Sequence, residues 1–192
     1  MSVILSAASC LSWVTKLTGY QDEESLLVDV EKLDFSTPST VTFLPYLSGE
    51  RTPHNNPNAQ GVFFGLGHNT DSAELGRAVL EGIAFAFADG QQALIAAGTE
   101  IDTVSVIGGG SVSKLWGKIL ASVLNKPLSY RQGAEVGPAY GAARLAKLGT
   151  SKLSPSDVCL AGEINHVIDP DQKMSSYYSK QHKKYQKLYQ NL

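Results

Sequence analysis

The clearest structural signal in the chain is Thr103-Val-Ser-Val-Ile-Gly-Gly-Gly-Ser-Val-Ser-Lys-Leu-Trp-Gly-Lys-Ile-Leu-Ala-Ser-Val-Leu-Asn125. A β-rich apolar run ends at three consecutive glycines, and apolar residues then recur at helical spacing, which predicts a strand, a turn and a helix. Glycines let a ligand lie against the backbone, and the N–H groups at a helix start attract anions. We expect either a nucleotide-binding turn, with the N–H groups after Gly110 and the hydroxyls of Ser111 and Ser113 as contacts, or a purely structural one.

Composition and charge narrow the class of protein. The 192 residues are 43% hydrophobic and 18% charged with a net charge of −2, which indicates a single globular domain that binds small molecules. The sequence has no concentrated basic face for nucleic acid or an anionic membrane. The apolar stretch 82–88 is too short to cross a bilayer. Two distant cysteines, Cys10 and Cys159, indicate neither a disulfide framework nor a zinc site. We therefore expect a cytoplasmic protein without nucleic-acid or membrane partners.

The order of the elements predicts an α/β fold. Apolar periodicity predicts helices over 3–18, 22–33, 73–97, 114–124, 139–148 and 174–190, and β-rich runs predict strands at 41–47, 61–67, 104–107 and 126–131. Pro45 should confine the first strand to an edge or end it. The long helix 73–97 is expected to bury one stripe. A weak extended segment follows Thr150, and the last helix, whose lysines suggest a solvated surface, either docks or projects.

Few residues outside the glycine turn suggest chemistry. Ser113 stands where a dinucleotide fingerprint has its third glycine, and no Walker lysine motif is present. The polar loop 48–58 is either functional or simply exposed. Its His54 is the histidine most suited to a functional role, whereas residues 22–24 are expected to begin a helix and not to bind a metal. No general base can be identified.

Five motifs, in this order, resemble the C-terminal domain of the FGGY carbohydrate kinases. They are Phe-Leu-Pro-Tyr-Leu-Ser-Gly-Glu-Arg-Thr-Pro-His-Asn-Asn-Pro at 43–57, Gly-Val-Phe-Phe-Gly-Leu at 61–66, Glu-Leu-Gly-Arg-Ala-Val-Leu-Glu-Gly-Ile at 74–83, Ile-Gly-Gly-Gly-Ser at 107–111 and Gly-Pro-Ala-Tyr-Gly-Ala-Ala-Arg-Leu-Ala at 137–146. The loop at 48–57 and the stretch Ser-Ala-Ala-Ser-Cys-Leu-Ser-Trp at 6–13 look most like the bacterial xylulose kinases of that family. The resemblance covers nearly the whole chain and weakens after about Gly149.

This resemblance implies a fold and a set of site residues. The fold is half of the actin-like, ribonuclease-H-like ATPase architecture, in which two domains close on ATP and a sugar, with Mg²⁺ carried by the ATP. Gly109 and Gly110 would face adenosine, and Ser113 stands where relatives often have Asn. The implied nucleotide-binding residues are Gly65, Gly109, Gly110, Ser111 and Ser113. The implied residues of the cleft between the domains are Glu50, Arg51 and His54.

The resemblance also implies parts that have no match in the sequence: an N-terminal sugar-binding domain, a catalytic aspartate and a phosphate loop. Residues 1–192 are therefore expected to be one ATP-binding C-terminal domain, incomplete at its N-terminus, of a kinase that transfers the γ-phosphoryl group of ATP to D-xylulose. The product would be D-xylulose 5-phosphate, and the chain alone should have little activity. The alternatives are a gluconate, ribulose or glycerol kinase of the same family, or a non-catalytic domain that binds a nucleotide or a protein partner and self-associates, for instance as a homodimer.

Overall fold

The computed structural model describes residues 1–108, 113–133 and 136–192. Within these ranges the helices are α1 (Ala8–Leu17), α2 (Glu23–Val30), α3 (Ser72–Ala96), α4 (Lys114–Leu124), α5 (Pro138–Thr150), α6 (Pro155–Val158) and α7 (Gln172–Gln190). The strands are β1 (Thr42–Leu44), β2 (Val62–Phe64), β3 (Val104–Val106), β4 (Leu128–Arg131) and β5 (Ile164–Ile168). This order confirms the predicted α/β class. No helix in the described ranges is both long and apolar enough to span a membrane.

Helix α3 lies at the centre of the fold, where it contacts α1, α2, α4, α7 and β1. It begins with a capping box, in which the Asp71 carboxylate accepts the Glu74 N–H and the Glu74 side chain accepts the Asp71 N–H. A Cβ at Gly82 would overlap the carbonyl oxygen of Phe43, so a glycine there lets β1 lie directly on the helix. Thus α3 is a core helix that brings the helices and β1 together.

The predicted burial of α3 needs a correction. A single inward stripe was expected, yet residues 73–90 are buried on nearly all sides, including the charged Arg77, Glu81 and Asp89. Buried charges require partners, and here these come from α3 itself and from α7. The charged residues of α3 therefore form hydrogen bonds inside the fold and do not define a solvent-exposed face.

Two small sheets accompany the helices. Strands β1 and β2 pair antiparallel with Phe43 opposite Phe63, and β1 ends at Leu44, as the following Pro45 predicts. Strand β4 pairs parallel with β3 and antiparallel with β5. The weak extended segment after Thr150 is α6 followed by β5. The second sheet brings the end of β3, where the glycine turn starts, beside β4.

The strand and the helix predicted within 103–125 are confirmed, whereas most of the turn between them lies outside the described residues. Strand β3 ends at Val106, Gly108 has a positive φ of +88°, and α4 begins at Lys114. The Ser113 hydroxyl caps α4 by accepting the N–H of Trp116 at 3.2 Å. Gly109, Gly110 and Ser111 lie outside the described residues.

Helix α7 docks on the domain, so the expectation of a solvated tail helix is wrong for one of its faces. Met174, Tyr178, His182 and Tyr185 are buried against α3, α4 and β1, whereas the lysines point to solvent. Buried Tyr and His side chains at this spacing each reach a polar partner, which compensates the cost of removing them from water.

Helix α5, by contrast, has no buried residue. Its Leu145 is 69% exposed, and the neighbouring Val136 is 53% exposed. An amphipathic helix normally covers its apolar stripe with another element. Among the described residues only α6 contacts α5 closely, and the apolar side chain of Leu145 stays exposed.

Candidate functional site

A groove of about 790 Å³ lies beside the predicted nucleotide turn. Its walls come from α1, α2 and the start of α4, so Ser113 and Lys114 bring the end of the glycine turn to its rim. A volume in this range suits a small organic ligand. The residues that line it are Ala8, Leu11, Ser12, Glu23, Glu24, Leu27, Val28, Glu31, Ser113, Lys114 and Trp116.

Local sequence explains how α1 and α2 form two of these walls. The Asp22 carboxylate caps α2 by accepting the Ser25 N–H at 2.8 Å, and acidic residues follow in the first turn, where the helix dipole favours them. Across the groove, the Ser12 hydroxyl of α1 donates to Glu23 Oε1 at 2.5 Å. This hydrogen bond lowers the pKa of Glu23, so the carboxylate is charged near neutral pH. The bond also ties α1 to α2.

The chemistry of the groove is divided between an apolar floor and an acidic wall. Leu27 and Val28 provide most of the apolar surface, above Leu11 and the Trp116 ring, which are 7% and 4% exposed. The indole Nε1–H of Trp116 is buried with no acceptor among the described residues. Glu23 and Glu24 of α2 and Glu31, the residue after its end, line the groove, and Lys114 is the lysine among the described residues that line it. Such a groove fits a flat, neutral ring with hydroxyl or amino donors. It repels a polyanion along the α2 wall.

Of the predicted nucleotide-binding residues after the glycines, the structure describes Ser113. Ser113 lines the groove, and its hydroxyl oxygen accepts the Trp116 N–H, which is compatible with the hydroxyl also donating to a ligand. Gly109, Gly110 and Ser111 fall outside the described residues, so their contacts remain predictions.

Gly65 is not among the groove-lining residues. It follows β2 with φ +91°, and a Cβ there would overlap the Thr40 carbonyl oxygen. The backbone conformation and the close approach of Thr40 therefore explain why a glycine stands at this position. Its predicted role on the phosphate or ribose side remains a prediction.

Glu50 lies in the interior of the domain and not on its surface. The residue is 2% exposed, and its Oε1 accepts the N–H groups of Leu5 and Arg51 at 3.2 and 2.7 Å. Its Oε2 has no partner among the described residues, and burial raises the pKa of the carboxyl. Glu50 therefore orders the start of the loop from within, whereas Arg51 is exposed. Their predicted position in a cleft between domains stays a prediction.

His54 belongs to an aromatic cluster that also includes Tyr46, Tyr185 and Tyr189. Its Nε2 lies 2.9 Å from the Tyr46 hydroxyl, and its ring stacks on Tyr189 with centroids 3.7 Å apart. Burial lowers the pKa of His54, which keeps the ring neutral near pH 7. His54 thus contributes packing and a hydrogen bond to this cluster rather than a charge.

Sequence reasoning missed the groove walls on α1 and α2. Leu11 and Ser12 lie within the stretch 6–13, which resembles the family, but they are about a hundred residues from Ser113. The resemblance of the stretch 6–13 to the family was the signal that could have indicated a role for α1 in the site. The contacts of α7 with the loop were also missed, although the tyrosine and histidine spacing of residues 178–189 could have indicated a buried face.

Comparison with known proteins identifies the family that the chain resembles in sequence and fold. The sequence profile of the C-terminal domain of the FGGY family of carbohydrate kinases matches residues 2–149. The xylulose kinases of Escherichia coli (strain K12) and Klebsiella pneumoniae are 46% and 43% identical to the chain, covering all of it and 40% of their own lengths. The solved xyloylose kinase of Brucella ovis superposes with a TM-score of 0.88 at 42% identity, covering all of this chain and 39% of that one. The chain thus spans about two fifths of these relatives.

Proposed function

Because the chain belongs to the FGGY family of carbohydrate kinases, we propose that residues 1–192 form the ATP-binding C-terminal domain of a xylulose kinase. Its fold is part of the actin-like ATPase architecture of these sugar kinases. The proposed reaction of the longer protein is transfer of the γ-phosphoryl group of ATP to D-xylulose, which gives D-xylulose 5-phosphate. The observation that supports this role most is the groove at the end of the glycine turn.

The groove fits the adenosine end of ATP. A purine ring is flat and apolar on its faces, which suits the surface that Leu27 and Val28 provide above the nearly buried Trp116. The ribose hydroxyls and the exocyclic amino group can donate hydrogen bonds to the carboxylates of Glu23 and Glu24. We therefore assign the base and ribose to the groove.

The acidic wall also bears on where the phosphates lie. Glu23 and Glu24 on α2 and Glu31 just after it repel a triphosphate, so the phosphates should extend away from α2 and towards the glycine turn, where helix α4 begins. No group of residues in the described ranges could hold a metal ion. Bound Mg-ATP supplies the transferable phosphoryl group and the metal charge that eases its transfer. The residues of this chain bind and orient the nucleoside. The sugar site and the base that takes the sugar proton are assigned to the rest of the longer protein, so the chain alone should be inactive.

A substitution that fills the groove tests this proposal. Val28 lines the groove and is 50% exposed, so Val28→Trp adds a ring inside it without disturbing the core. In the full-length kinase this change should raise the KM for ATP by about tenfold or more, which corresponds to about 1.4 kcal/mol of lost binding. The KM for D-xylulose should change much less, because the sugar does not enter the groove.

Leu17→Trp is the matched control. Leu17 is 59% exposed on α1 and is not among the groove-lining residues. Both constants should stay within about twofold in that variant, since a surface substitution away from a site has little effect. Equal ATP constants in the two variants would contradict the assignment of adenosine to this groove.

The uncovered helix α5 supports a second candidate, a non-catalytic domain that binds a partner through this surface.

The identity of the sugar is also open to test. Initial rates of the full-length protein with D-xylulose, ribulose, gluconate and glycerol separate the possibilities. Phosphorylation of D-xylulose with the largest kcat/KM supports our proposal. A larger value for another sugar indicates a different kinase of the family, and no phosphorylation favours the partner-binding domain.

A further inference from the structure

The glutamates that line the groove differ in how firmly they are held. Glu23 is half-buried, and its Oε1 accepts a hydrogen bond from the Ser12 hydroxyl at 2.5 Å. Glu24 and Glu31 are exposed, and among the described residues no hydrogen bond holds either side chain. Glu23 is therefore the glutamate of the groove whose carboxylate has a fixed position.

Both partners of this hydrogen bond stand on helices that the core fixes. Ser12 lies on α1, which buries Leu11 and Val14. Glu23 is the first residue of α2, which buries Leu26 and Val30. Ser12 and Glu23 both line the groove. The bond therefore fixes the Glu23 side chain between two walls that already have a defined separation.

The fixed carboxylate still has room for a ligand. A carboxylate accepts hydrogen bonds at about four lone-pair sites, of which the Ser12 hydroxyl occupies one. The Ser12 bond is the largest cause that lowers the pKa of Glu23, and the neighbouring Lys16 lowers it further while Asp22 opposes the shift. Glu23 therefore presents a charged acceptor to the groove, and hydrogen bonds to a charged acceptor are stronger than those to a neutral one.

Order before binding also favours Glu23 over the other two glutamates. A long side chain that becomes ordered only when a ligand binds loses rotamer freedom at that step, which weakens binding. Ser12 has already ordered Glu23, whereas the exposed Glu24 and Glu31 would have to be ordered by the ligand itself. A ligand with a hydrogen-bond donor should therefore gain most affinity from Glu23.

We propose that Glu23 is a specificity-determining residue of the groove, which accepts a hydrogen bond from the nucleoside, and that Ser12 is the positioning residue that holds it. This inference rests on the proposed function, because it takes the adenosine of ATP as the occupant of the groove. Adenosine offers one kind of chemistry to the carboxylate, a neutral donor, which is either a ribose hydroxyl or the exocyclic amino group. A nucleotide that lacks the bonded donor leaves a charged acceptor without its partner, so the groove discriminates against it.

The experiment measures the Kd of the full-length protein by calorimetry for ATP and for three analogues that each lack one donor. They are 2′-deoxy-ATP, 3′-deoxy-ATP and purine riboside triphosphate, which has no amino group. The readout is the ratio of each analogue's Kd to that of ATP within one variant. A general loss of affinity weakens all four nucleotides together and cancels in this ratio.

The variants are Glu23→Ala, Ser12→Ala and Ser12→Thr, with Ser9→Ala as the matched control. Ser9 is an exposed serine on the same helix as Ser12, and it is not among the groove-lining residues. Ser12→Thr keeps a hydroxyl at the position and should restore what Ser12→Ala loses. A purely structural role of Ser12 would not change the ratio.

In the wild type, the analogue that lacks the bonded donor should bind about tenfold more weakly than ATP. That ratio should fall below about twofold in Glu23→Ala and to about threefold in Ser12→Ala. It should stay at about tenfold in Ser12→Thr and in Ser9→Ala. The analogue whose ratio responds shows whether the donor is a ribose hydroxyl or the amino group.

Three results would overturn the inference. They are equal binding of ATP and all three analogues to the wild type, ratios that do not change in Glu23→Ala, and equal ratios in Ser12→Ala and Ser9→Ala. The proposed function fails in a different measurement, when Val28→Trp binds ATP as tightly as Leu17→Trp. In that case adenosine does not occupy the groove, and the inference fails with the assignment on which it rests.

Discussion

Replacing Arg77 by Met should destabilise the fold strongly, because it leaves a carboxylate in the core without its counter-ion. Arg77 Nε lies 2.8 Å from Glu81 Oε1, with the two side chains only 6% and 4% exposed. The guanidinium also donates to the carbonyls of Asp34 and Thr37 at 2.8 and 2.6 Å. After the substitution, Glu81 keeps only the Tyr178 hydroxyl, at 3.0 Å, as a donor among the described side chains.

The expected loss is about 3–5 kcal/mol, the cost of removing one partner from a buried pair. For a chain of this size, that lowers the Tm by about 6–20 °C. Lys32→Met is the control, because it breaks the pair between Lys32 and Asp29, whose side chains are 70% and 41% exposed. An exposed pair contributes at most about 1 kcal/mol. Urea unfolding followed by circular dichroism measures both losses.

The sign of the pH dependence provides a second check. Burial raises the pKa of Glu81, and Arg77 opposes that shift, so the pKa in Arg77→Met should rise further. A carboxyl whose pKa is higher in the folded state stabilises the fold at pH values below its unfolded pKa, and this contribution is lost as the pH rises through the folded value. The penalty of Arg77→Met should therefore be larger at pH 7.5 than at pH 4.5. A penalty below about 1 kcal/mol at pH 7.5, or one that does not change with pH, would refute this reasoning.

Two further predictions concern packing and the uncovered surface. Gly82→Ala should lower the free energy of unfolding by about 1–3 kcal/mol or more, because the new Cβ overlaps the backbone of Phe43. Gly67→Ala is the control: its Cβ meets open space, so the free energy of unfolding should change by less than about 0.5 kcal/mol. Equal losses of the two variants in urea unfolding would contradict the packing argument. Leu145→Lys should reduce self-association of the chain in size-exclusion chromatography, since it charges the exposed stripe of α5, and an unchanged elution profile would show that this stripe is not the contact surface.

Much of the fold could be predicted from local patterns. The three glycines after β3 and the periodic residues after Ser113 predicted the strand and helix on either side of the turn, because turn chemistry and periodicity are local. The start of α1 was placed too early, at residue 3 instead of Ala8. Val3 and Ile4 are apolar and fit the helical pattern, but the N–H groups of Val3 and Leu5 donate to the side chains of Thr52 and Glu50 in a distant loop. Such long-range hydrogen bonds leave no trace in the periodicity.

The candidate site was harder to predict because it is assembled from distant segments. Ser113 could be singled out from its position after the glycines, but the facing wall comes from α1 and α2, which no spacing rule connects to it. The polar pattern of loop 48–58 left open whether the loop is functional or simply exposed. It could not show that Glu50 points inward and that His54 stacks on Tyr189 of the last helix.

The central claim is that the groove between α1, α2 and the start of α4 holds the adenosine of ATP. A crystal structure of the full-length protein with a non-hydrolysable ATP analogue tests it most directly. We predict the purine against Leu27 and Val28, with the phosphates directed away from the α2 glutamates and towards the glycine turn. A nucleotide bound elsewhere, with this groove empty, would contradict the claim.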